Sequence, residues 1–276
     1  MKNTLIQIVR GAVDIIRNEA AIFTANAKEN DRKKDDIVTS ADFNAQNHYE
    51  KQLGENFPEY GIIGEEGLRK PGENYFTVDP LDGTKAFARL QAFGVSTLLA
   101  MVEKGEVVAA FVGDVNTNDV YGFTPEDEKP FRIRFGVETP LKVIAKDLHN
   151  QYAVLHSGLH DHPEKIQRIV QAHANGGCFK NFEVMGGSAG TLSARLWTGE
   201  IGAIVFDAPY ETPWDATPLL GMNKKLGFVH IVIDKENGTA KIVEPELIRE
   251  PRDKDYCEII VHKDNAPVIL DWFLNN

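Results

Sequence analysis

The sequence predicts a mixed α and β fold in two halves: an α+β first half on an antiparallel sheet and an α/β second half on a mixed or parallel sheet. In the first half, strand-like runs follow one another through short turns such as Lys104-Gly105, and strands joined this way pair antiparallel. In the second half, short apolar runs alternate with helical segments, which is typical of an open α/β sheet. We therefore expect two domains, residues 1–148 and 149–276.

The elements of the first half follow from hydrophobic spacing. Apolar residues at helical intervals predict helices over residues 4–26 and 41–57. Period-two and apolar runs predict strands over residues 75–78, 96–103, 106–114 and 119–123. The charged run at residues 29–36, between the two helices, is predicted to form a mobile loop.

The second half is predicted to alternate strands and helices. Its strands are expected at residues 152–155, 182–184, 202–206, 229–233, 240–242 and 258–261. Its helices are expected at residues 163–174, 188–197, 216–226 and 266–274.

Composition narrows the class of protein. A chain of 276 residues with 42% hydrophobic residues can bury a large core. The formal net charge of −11 argues against nucleic acid or an anionic membrane as the main partner. The only cysteines, Cys178 and Cys257, are far apart in sequence, so neither a disulfide framework nor a zinc ribbon is expected.

The N-terminal segment is expected to be neither a signal peptide nor a membrane span. Its apolar run, residues 5–16, is interrupted by Arg10 and Asp14, which neither kind of segment tolerates well. The apolar spacing suits an amphipathic helix that packs on a core. We therefore predict a cytoplasmic protein.

The most informative motif, at residues 78–84, reads Val-Asp-Pro-Leu-Asp-Gly-Thr and follows a predicted strand. Asp79 and Asp82 lie three positions apart around Pro80, so both carboxylates can turn toward one hard divalent cation. Gly83 allows close approach of a ligand, and amides at the start of a helix from Thr84 favour an anion. These features indicate a metal-assisted phosphate site. Asp-Pro and Asp-Gly are also ordinary turn dipeptides, so this motif alone leaves both interpretations open.

Two further acidic elements favour the site. Glu65 and Glu66 follow a short apolar run that ends at Gly64. In the second half, Asp215 follows Trp214 and can cap the predicted helix that comes after it. Trp214 is expected to be a packing residue, and for Glu66 a supporting role and plain solvent exposure remain equally open.

These segments, in this order and at these distances, resemble the inositol monophosphatase family of magnesium-dependent, lithium-sensitive phosphatases. Residues 37–42, Ile-Val-Thr-Ser-Ala-Asp, resemble the family's Val-Thr-x-Ala-Asp segment, and residues 187–191, Gly-Ser-Ala-Gly-Thr, resemble its glycine-serine helix start. The resemblance implies a layered αβαβα sandwich. It places most metal ligands in residues 1–148 and specificity residues in 149–276, and it suggests a homodimer.

The resemblance also implies two or three Mg²⁺ ions and assigns their ligands. The implied metal ligands are Glu65, Asp79, the main-chain carbonyl of Leu81, Asp82 and Asp215, with Asp79 bridging two ions and a weaker third ion at Glu65. The implied catalytic residues are Asp42, Glu65 and Thr84, where Thr84, hydrogen-bonded to Asp42, would orient and deprotonate the attacking water. By the same resemblance, a lysine from the loop at residues 29–36 could reach the site. Asp42 could also simply cap the second helix.

The substrate implied by the resemblance is a small phosphorylated polyol or sugar. Its implied contacts are Asp82, the amides of Gly83 and Thr84, Ser188, Thr191, Asp207 and Asp215. The assignment to Asp207 needs a one-residue insertion, because the expected position seven residues before Asp215 holds Ala208. Leu192 replaces a common small residue and is expected to narrow the pocket.

Several alternatives stay open. Residues 82–87, Asp-Gly-Thr-Lys-Ala-Phe, also resemble the 3'(2'),5'-bisphosphate nucleotidases, although no basic pair for a second phosphate is evident. Fructose-1,6-bisphosphatases and histidinol-phosphate phosphatases share the same acidic residues. A non-catalytic scaffold that binds metal and sugar phosphate is disfavoured, because it would not need the complete acidic set. Zinc at His156, His160 and His162 is not expected, since no cysteine is near in sequence and magnesium prefers oxygen.

Overall fold

The computed structural model describes residues 1–28, 37–67, 69–70 and 72–276. It contains two large β-sheets with helices between and outside them. The α-helices are α1 (Lys2–Glu19), α2 (Ser40–Asn56), α3 (Thr84–Ala88), α4 (Glu164–Ile169), α5 (Ala189–Trp197), α6 (Pro213–Leu226) and α7 (Ala266–Asn275). Among the described residues, no helix is both long and apolar enough to cross a membrane.

The first half forms a small hairpin and an eight-stranded sheet. The hairpin pairs β1 (Ala25–Ala27) with β2 (Ile37–Thr39). The sheet contains β3 (Gly61–Gly64), β4 (Arg69–Lys70), β5 (Tyr75–Asp82), β6 (Ser96–Glu103), β7 (Glu106–Asp114), β8 (Val120–Phe123), β9 (Phe131–Arg134) and β10 (Val137–Pro140). Their order is β10-β9-β8-β7-β6-β5-β3-β4. All neighbours are antiparallel except β3 and β5, which are parallel.

The second half forms a six-stranded mixed sheet and a short ribbon. The sheet contains β11 (Tyr152–Leu155), β12 (Asn181–Val184), β13 (Ala203–Phe206), β15 (Phe228–Asp234), β16 (Ala240–Val243) and β18 (Tyr256–His262), while β14 (Tyr210–Glu211) pairs with β17 (Arg252–Asp253). The order in the sheet is β12-β11-β13-β18-β15-β16. The first three strands of this order are parallel to one another and the other pairings are antiparallel.

The packing gives five layers, and strand alternation explains why. Side chains along a strand point to opposite faces in turn. On β6, Leu99 and Met101 therefore face the core under α1 and α2, whereas Leu98 and Ala100 face the core that contains α5 and α6. The second sheet covers the other side of α5 and α6, and its outer face packs against α4 and α7. The predicted αβαβα sandwich is thus confirmed.

Several predicted element boundaries were wrong. The first helix ends at Glu19, not near residue 26, because residues 25–27 pair with β2 as a strand. Strands β3, β4, β9 and β10 of the first sheet were not predicted from the sequence. Helix α4 ends at Ile169 instead of residue 174, where the chain turns back so that Ala172 pairs with Phe179.

The division of the chain into two domains stays a prediction. The eight-stranded sheet lies within residues 61–140 and the six-stranded sheet within residues 152–262. Helices α5 and α6 pack against both sheets, so the middle core is shared between the two halves.

Candidate active site

The parallel pairing of β3 and β5 brings two acidic residues to one edge of the first sheet. Gly64, the last residue of β3, lies opposite Val78 of β5, and the amide of Glu65 donates to the carbonyl of Val78 at 3.2 Å. Glu65 and Asp79 are therefore adjacent where their strands leave regular pairing. Residues far from each other in sequence become neighbours because parallel strands end at the same edge.

The segment after Val78 forms an irregular turn. Asp79 Oδ1 accepts a hydrogen bond from the amide of Leu81 at 3.0 Å, the local bond that favours Asp in turns. The pairing of β5 with β6 shifts register between Asp79 and Asp82. Gly83 has a φ of +93°, and a Cβ there would lie 2.2 Å from the carbonyl oxygen of Gly94. Only glycine fits this position without a backbone shift.

Helix α6 delivers Asp215 to the same place. Thr212 is the N-cap of α6, its hydroxyl accepts from the amide of Asp215, and it also donates to the Asp215 carboxylate. The prediction that Asp215 caps the helix was wrong, since Asp215 lies inside the first turn. Asp79, Asp82 and Asp215 each offer an oxygen within 4.8 Å of the others.

The three carboxylates lack a positive partner within the described chain. None of them takes part in a salt bridge with a described lysine, arginine or histidine, and a hard, oxygen-seeking divalent cation fits this donor set. Burial raises the pKa of Asp79 well above its usual value, and the charges of Glu65, Asp215 and Asp82 add to the effect. Burial, with Asp82 next, raises the pKa of Asp215 to about 6. The folded chain therefore holds these groups at an electrostatic cost that a cation would relieve.

Asp42 and Thr84 form a pair beside this cluster. Asp42 Oδ2 accepts from the amide of Thr39 at 2.7 Å, which is one half of the capping box at the start of α2, and also from the Thr39 hydroxyl at 2.6 Å. The hydroxyl of Thr84 lies 3.2 Å from Asp42 Oδ1 and 3.0 Å from the carbonyl of Leu81. Burial raises the pKa of Asp42 to about 6 despite the bonds from Thr39. Asp42 thus bonds the N-cap residue Thr39 with one oxygen and contacts the Thr84 hydroxyl with the other.

Lys28 contacts both glutamates that precede the cluster. Its ammonium lies 2.8 Å from Glu65 Oε1 and also pairs with Glu66. The Glu66 side chain is only 7% exposed, so it is a buried partner of Lys28 and not a solvated turn residue. Burial, with the charge of Glu65 next, raises the pKa of Glu66 to about 7. The predicted loop at residues 29–36, with its lysines, lies outside the described residues.

Asp82 anchors the start of α5. Its carboxylate accepts hydrogen bonds from the hydroxyl of Ser188 at 2.6 Å and from the amides of Ala189 and Gly190 at 3.1 and 2.8 Å. Ser96, the first residue of β6, donates to it at 2.9 Å. A carboxylate at a helix N-terminus is stabilised by such amides, so Asp82 links the two halves of the molecule.

The predicted substrate contacts fall into two groups. Gly83, Thr84, Ser188 and Thr191 lie around Asp82, although Ser188 is fully buried and the Thr191 hydroxyl donates to the Ser188 carbonyl at 3.1 Å. Asp207 lies elsewhere: its carboxylate pairs with Lys235 and does not join the Asp79 cluster.

The burial of Leu192 and Trp214 shows that both residues have a packing role. Leu192 is fully buried in the middle core, so it does not narrow a pocket as expected. Trp214 is 6% exposed and packs with Ile63, Tyr75 and Val102, as expected of a packing residue.

The sequence interpretation missed four residues that hold the site together. These residues are Lys28, Thr39, Ser96 and Thr212. Thr39 and Thr212 each precede a site aspartate by three positions, the spacing of a helix cap, and this signal could have found them. Lys28 and Ser96 carry no comparable local signal.

Curated relatives match parts of the chain. The "fructose-1,6-bisphosphatase/inositol-1-monophosphatase" of Thermotoga maritima is 41% identical over 73 residues, which cover 26% of this chain and 28% of that protein. The inositol-1-monophosphatase of Rhizobium meliloti is 36% identical over 90 residues, or 31% of this chain and 33% of that protein. The matched segments thus span about a third of these relatives or less.

The fold is similar to that of solved phosphatases over nearly its whole length. The structure of an IMPase/NADP phosphatase complexed with Mg²⁺ and phosphate covers 98% of this chain and 94% of its own, with a TM-score of 0.73 and 18% identity. At this identity the likeness shows a common fold. The model of the inositol monophosphatase family matches residues 1–248, and the chain therefore belongs to the inositol monophosphatase family of phosphatases.

Proposed function

We propose that the protein is a magnesium-dependent phosphomonoesterase that hydrolyses a small phosphorylated polyol or sugar. One observation carries the proposal: Asp79, Asp82 and Asp215 converge without a positive partner among the described residues, next to the hydrogen-bonded pair of Asp42 and Thr84. In a structural ion network, positive side chains of the same chain would balance these three carboxylates. Carboxylates that converge without such partners are typical of a site that binds a cation from solution.

The proposed ligands form two main ion positions and a third, weaker one. Glu65, Asp79 and the Leu81 carbonyl would hold one ion, and Asp79, Asp82 and Asp215 a second, with a third, weaker position at Glu65. When bound, these ions supply charge compensation for the phosphoryl oxygens and the leaving alkoxide, and they favour ionisation of the attacking water. The ligands are oxygen donors throughout, which suits Mg²⁺.

Thr84 and Asp42 would accept the proton of the attacking water. The Thr84 hydroxyl can donate to Asp42 Oδ1 while its oxygen accepts a hydrogen bond from the attacking water. As the water attacks, Thr84 takes its proton and passes its own to Asp42. The pKa of Asp42, about 6, leaves it ionised at neutral pH and still basic enough to accept that proton.

The substrate would be held by its phosphate and its hydroxyls. The amides of Gly83 and Thr84, at the start of α3, would bind phosphate oxygens. Polyol hydroxyls would meet Asp82, Asp215 and Thr191 in the first turn of α5, whereas the buried Ser188 would position Asp82. Asp207 is not among the proposed contacts, because Lys235 already engages its carboxylate.

A second candidate is a bisphosphatase activity toward fructose 1,6-bisphosphate. It is favoured by the Thermotoga relative, whose name includes this activity. The nucleotidase and histidinol-phosphate activities, and a non-catalytic scaffold, remain as alternatives for the same site. The homodimer and the cytoplasmic location stay predictions.

A panel assay of released phosphate tests the proposal. Inositol 1-phosphate, fructose 1,6-bisphosphate, histidinol phosphate and adenosine 3',5'-bisphosphate would be compared with Mg²⁺, with chelator, and with lithium added. We expect turnover of a polyol or sugar phosphate that stops with chelator, returns with Mg²⁺ and is inhibited by lithium. Binding of metal and substrate without turnover of any of the four would favour the scaffold instead.

A further inference from the structure

Three residues of different chemistry converge in the second half, outside the acidic site. His162 follows a short 3₁₀ turn at Leu159–Asp161, Asp207 follows β13, and Cys257 lies in β18. Each offers one ligand atom, and these atoms all lie within 4.8 Å of one another. His162 Nδ1 is 3.9 Å from Asp207 Oδ2. No two of the three are closer than 45 positions in sequence, so only the tertiary structure brings them together.

The imidazole of His162 is buried and oriented toward this group. Its side chain is 0% exposed, and Nδ1 has no hydrogen-bond partner within the described part of the chain. On the other side of the ring, Nε2 lies 3.0 Å from the hydroxyl of Ser157. A hydrogen bond from Nε2 to Ser157 leaves the Nδ1 lone pair free, the arrangement found in metal-binding histidines. A buried nitrogen without a partner is costly unless something binds it.

This group lies on the opposite face of the second sheet from α5 and the acidic cluster. Along β13, Ile204 faces the middle core with α5 and α6, whereas Ala203 and Val205 face the outer core with α7. By strand alternation, Asp207 continues on the outer side. Cys257 belongs to that same outer core.

Within the described residues, Lys235 compensates the charge of Asp207. The ammonium of Lys235 contacts Asp207 Oδ1, and the Cys257 sulfur lies within 4.8 Å of an oxygen of the same carboxylate. The Lys235 side chain is 33% exposed and follows the end of β15, so it can turn toward solvent. Cys257 is fully buried. A divalent cation can therefore replace one ammonium without moving a strand.

We propose that His162, Asp207 and Cys257 form a second metal site, separate from the acidic cluster, that takes a borderline-soft divalent cation such as Zn²⁺. Nitrogen, sulfur and oxygen from three residues, with a water at the fourth position, suit tetrahedral Zn²⁺ or Co²⁺ and not Mg²⁺. On binding, the Cys257 thiol loses its proton to solvent and the Lys235 ammonium rotates away. The thiolate and carboxylate then balance the two charges of the ion.

Cobalt titration of the full-length protein tests the proposal, because a thiolate ligand gives Co²⁺ an intense near-ultraviolet charge-transfer absorption that oxygen ligands do not give. We expect this absorption at one Co²⁺ per chain in the wild type and in Asp79→Asn, whose acidic cluster is disrupted. We expect it to vanish in Cys257→Ser. Cys178→Ser is the matched control, since Cys178 is also a buried cysteine but does not belong to the group, and it should keep the absorption.

Two more variants make the test independent of how well Cys257→Ser folds. Lys235→Met removes the competing ammonium and should lower the Co²⁺ concentration for half-maximal absorption about tenfold, the effect of one like charge at short range. His162→Gln should raise that concentration at least about tenfold through loss of a ligand. No thiolate absorption at saturating Co²⁺ in the wild type and Lys235→Met would overturn the site. So would an absorption that persists in Cys257→Ser.

Discussion

Asp79 and Asp119 are about equally buried in the first half of the molecule, but their surroundings are electrostatically opposite. Asp119 is 1% exposed, and its carboxylate accepts from the guanidinium groups of Arg132 and Arg134 at 2.7 and 2.8 Å. Asp79 is 2% exposed, and the charges that act on its pKa are those of Glu65, Asp82 and Asp215, all of the same sign.

The difference separates a structural ion pair from a binding site. Two arginines of the same chain neutralise the Asp119 carboxylate, so its charge needs no ion from solution. Asp79 has no such partner among the described residues, so we expect a cation from solution to balance the charge of its group. Each prediction below tests one consequence of this contrast, from the largest expected effect to the smallest.

Asp79→Asn is expected to abolish Mg²⁺ binding and phosphatase activity together. An amide supplies neither the charge nor the second strong oxygen that a bridging ligand needs. Calorimetric Mg²⁺ titration and steady-state kinetics would measure both effects. Asp119→Asn is the matched control and should keep Mg²⁺ affinity and turnover. Unchanged metal affinity in Asp79→Asn would show that Asp79 is not a metal ligand.

Thr84→Ala is expected to lower kcat by roughly 10²-fold while Mg²⁺ affinity stays nearly unchanged, because the hydroxyl positions a proton and is not a ligand. Thr84→Ser keeps the hydroxyl and should retain most of the activity. The same titration and kinetics apply. An unaltered kcat in Thr84→Ala would show that the proton takes another route than Asp42.

The free energy of unfolding in the presence of chelator should fall when Asp119 is replaced but not when Asp79 is replaced. Asp119→Asn should lower it by about 2–3 kcal/mol, less than for a fully buried pair because the arginines are partly exposed. Asp79→Asn should leave it unchanged or raise it, because a neutral amide relieves carboxylate repulsion. Urea unfolding would measure both values. Equal destabilisation of the two variants would contradict the idea that Asp119 is structural and Asp79 is not.

Without metal, the contribution of Asp42, Asp215 and Glu66 to stability should fall as pH rises from about 4 to about 7. The pKa values of Asp42 and Asp215 are about 6 and that of Glu66 is about 7, all above the usual range of about 4 for an unfolded carboxyl group. Within this window these three groups bind more protons in the folded chain than in the unfolded chain, so their deprotonation disfavours folding. Saturating Mg²⁺ should flatten or reverse this slope. The urea midpoint of unfolding would be measured at several pH values in this window. A midpoint that rises with pH in the absence of metal would contradict the interpretation.

Lys28→Met is expected to lower the Mg²⁺ concentration for half-maximal activity by a few-fold. The Lys28 ammonium occupies the same carboxylates, Glu65 and Glu66, that lie next to the metal cluster, and it competes with a cation there. Lys70, another lysine of the first half, is exposed and makes the control Lys70→Met. A higher Mg²⁺ requirement in Lys28→Met would instead mean that Lys28 organises the site.

The sequence by itself determined the fold class and the core of the site. Period-two and helical spacing are local properties. They predicted four of the eight strands of the first sheet, with the bounds of β6 at Ser96–Glu103 and β7 at Glu106–Asp114 correct, and all six strands of the second sheet. The spacing of Asp79 and Asp82 around Pro80 is equally local. The family resemblance then related Glu65 and Asp215 to this motif.

Tertiary structure alone decided which distant groups meet. Ser96 and Ser188 hold Asp82 although they are 92 positions apart, and no local pattern encodes such a hydrogen bond. Alternation along β13 turned Asp207 away from the acidic cluster and toward Cys257. The pairing of residues 25–27 with β2 likewise ended the first helix early. Such contacts depend on how layers pack, because the free energy of a buried polar group is fixed by neighbours that the chain supplies from elsewhere.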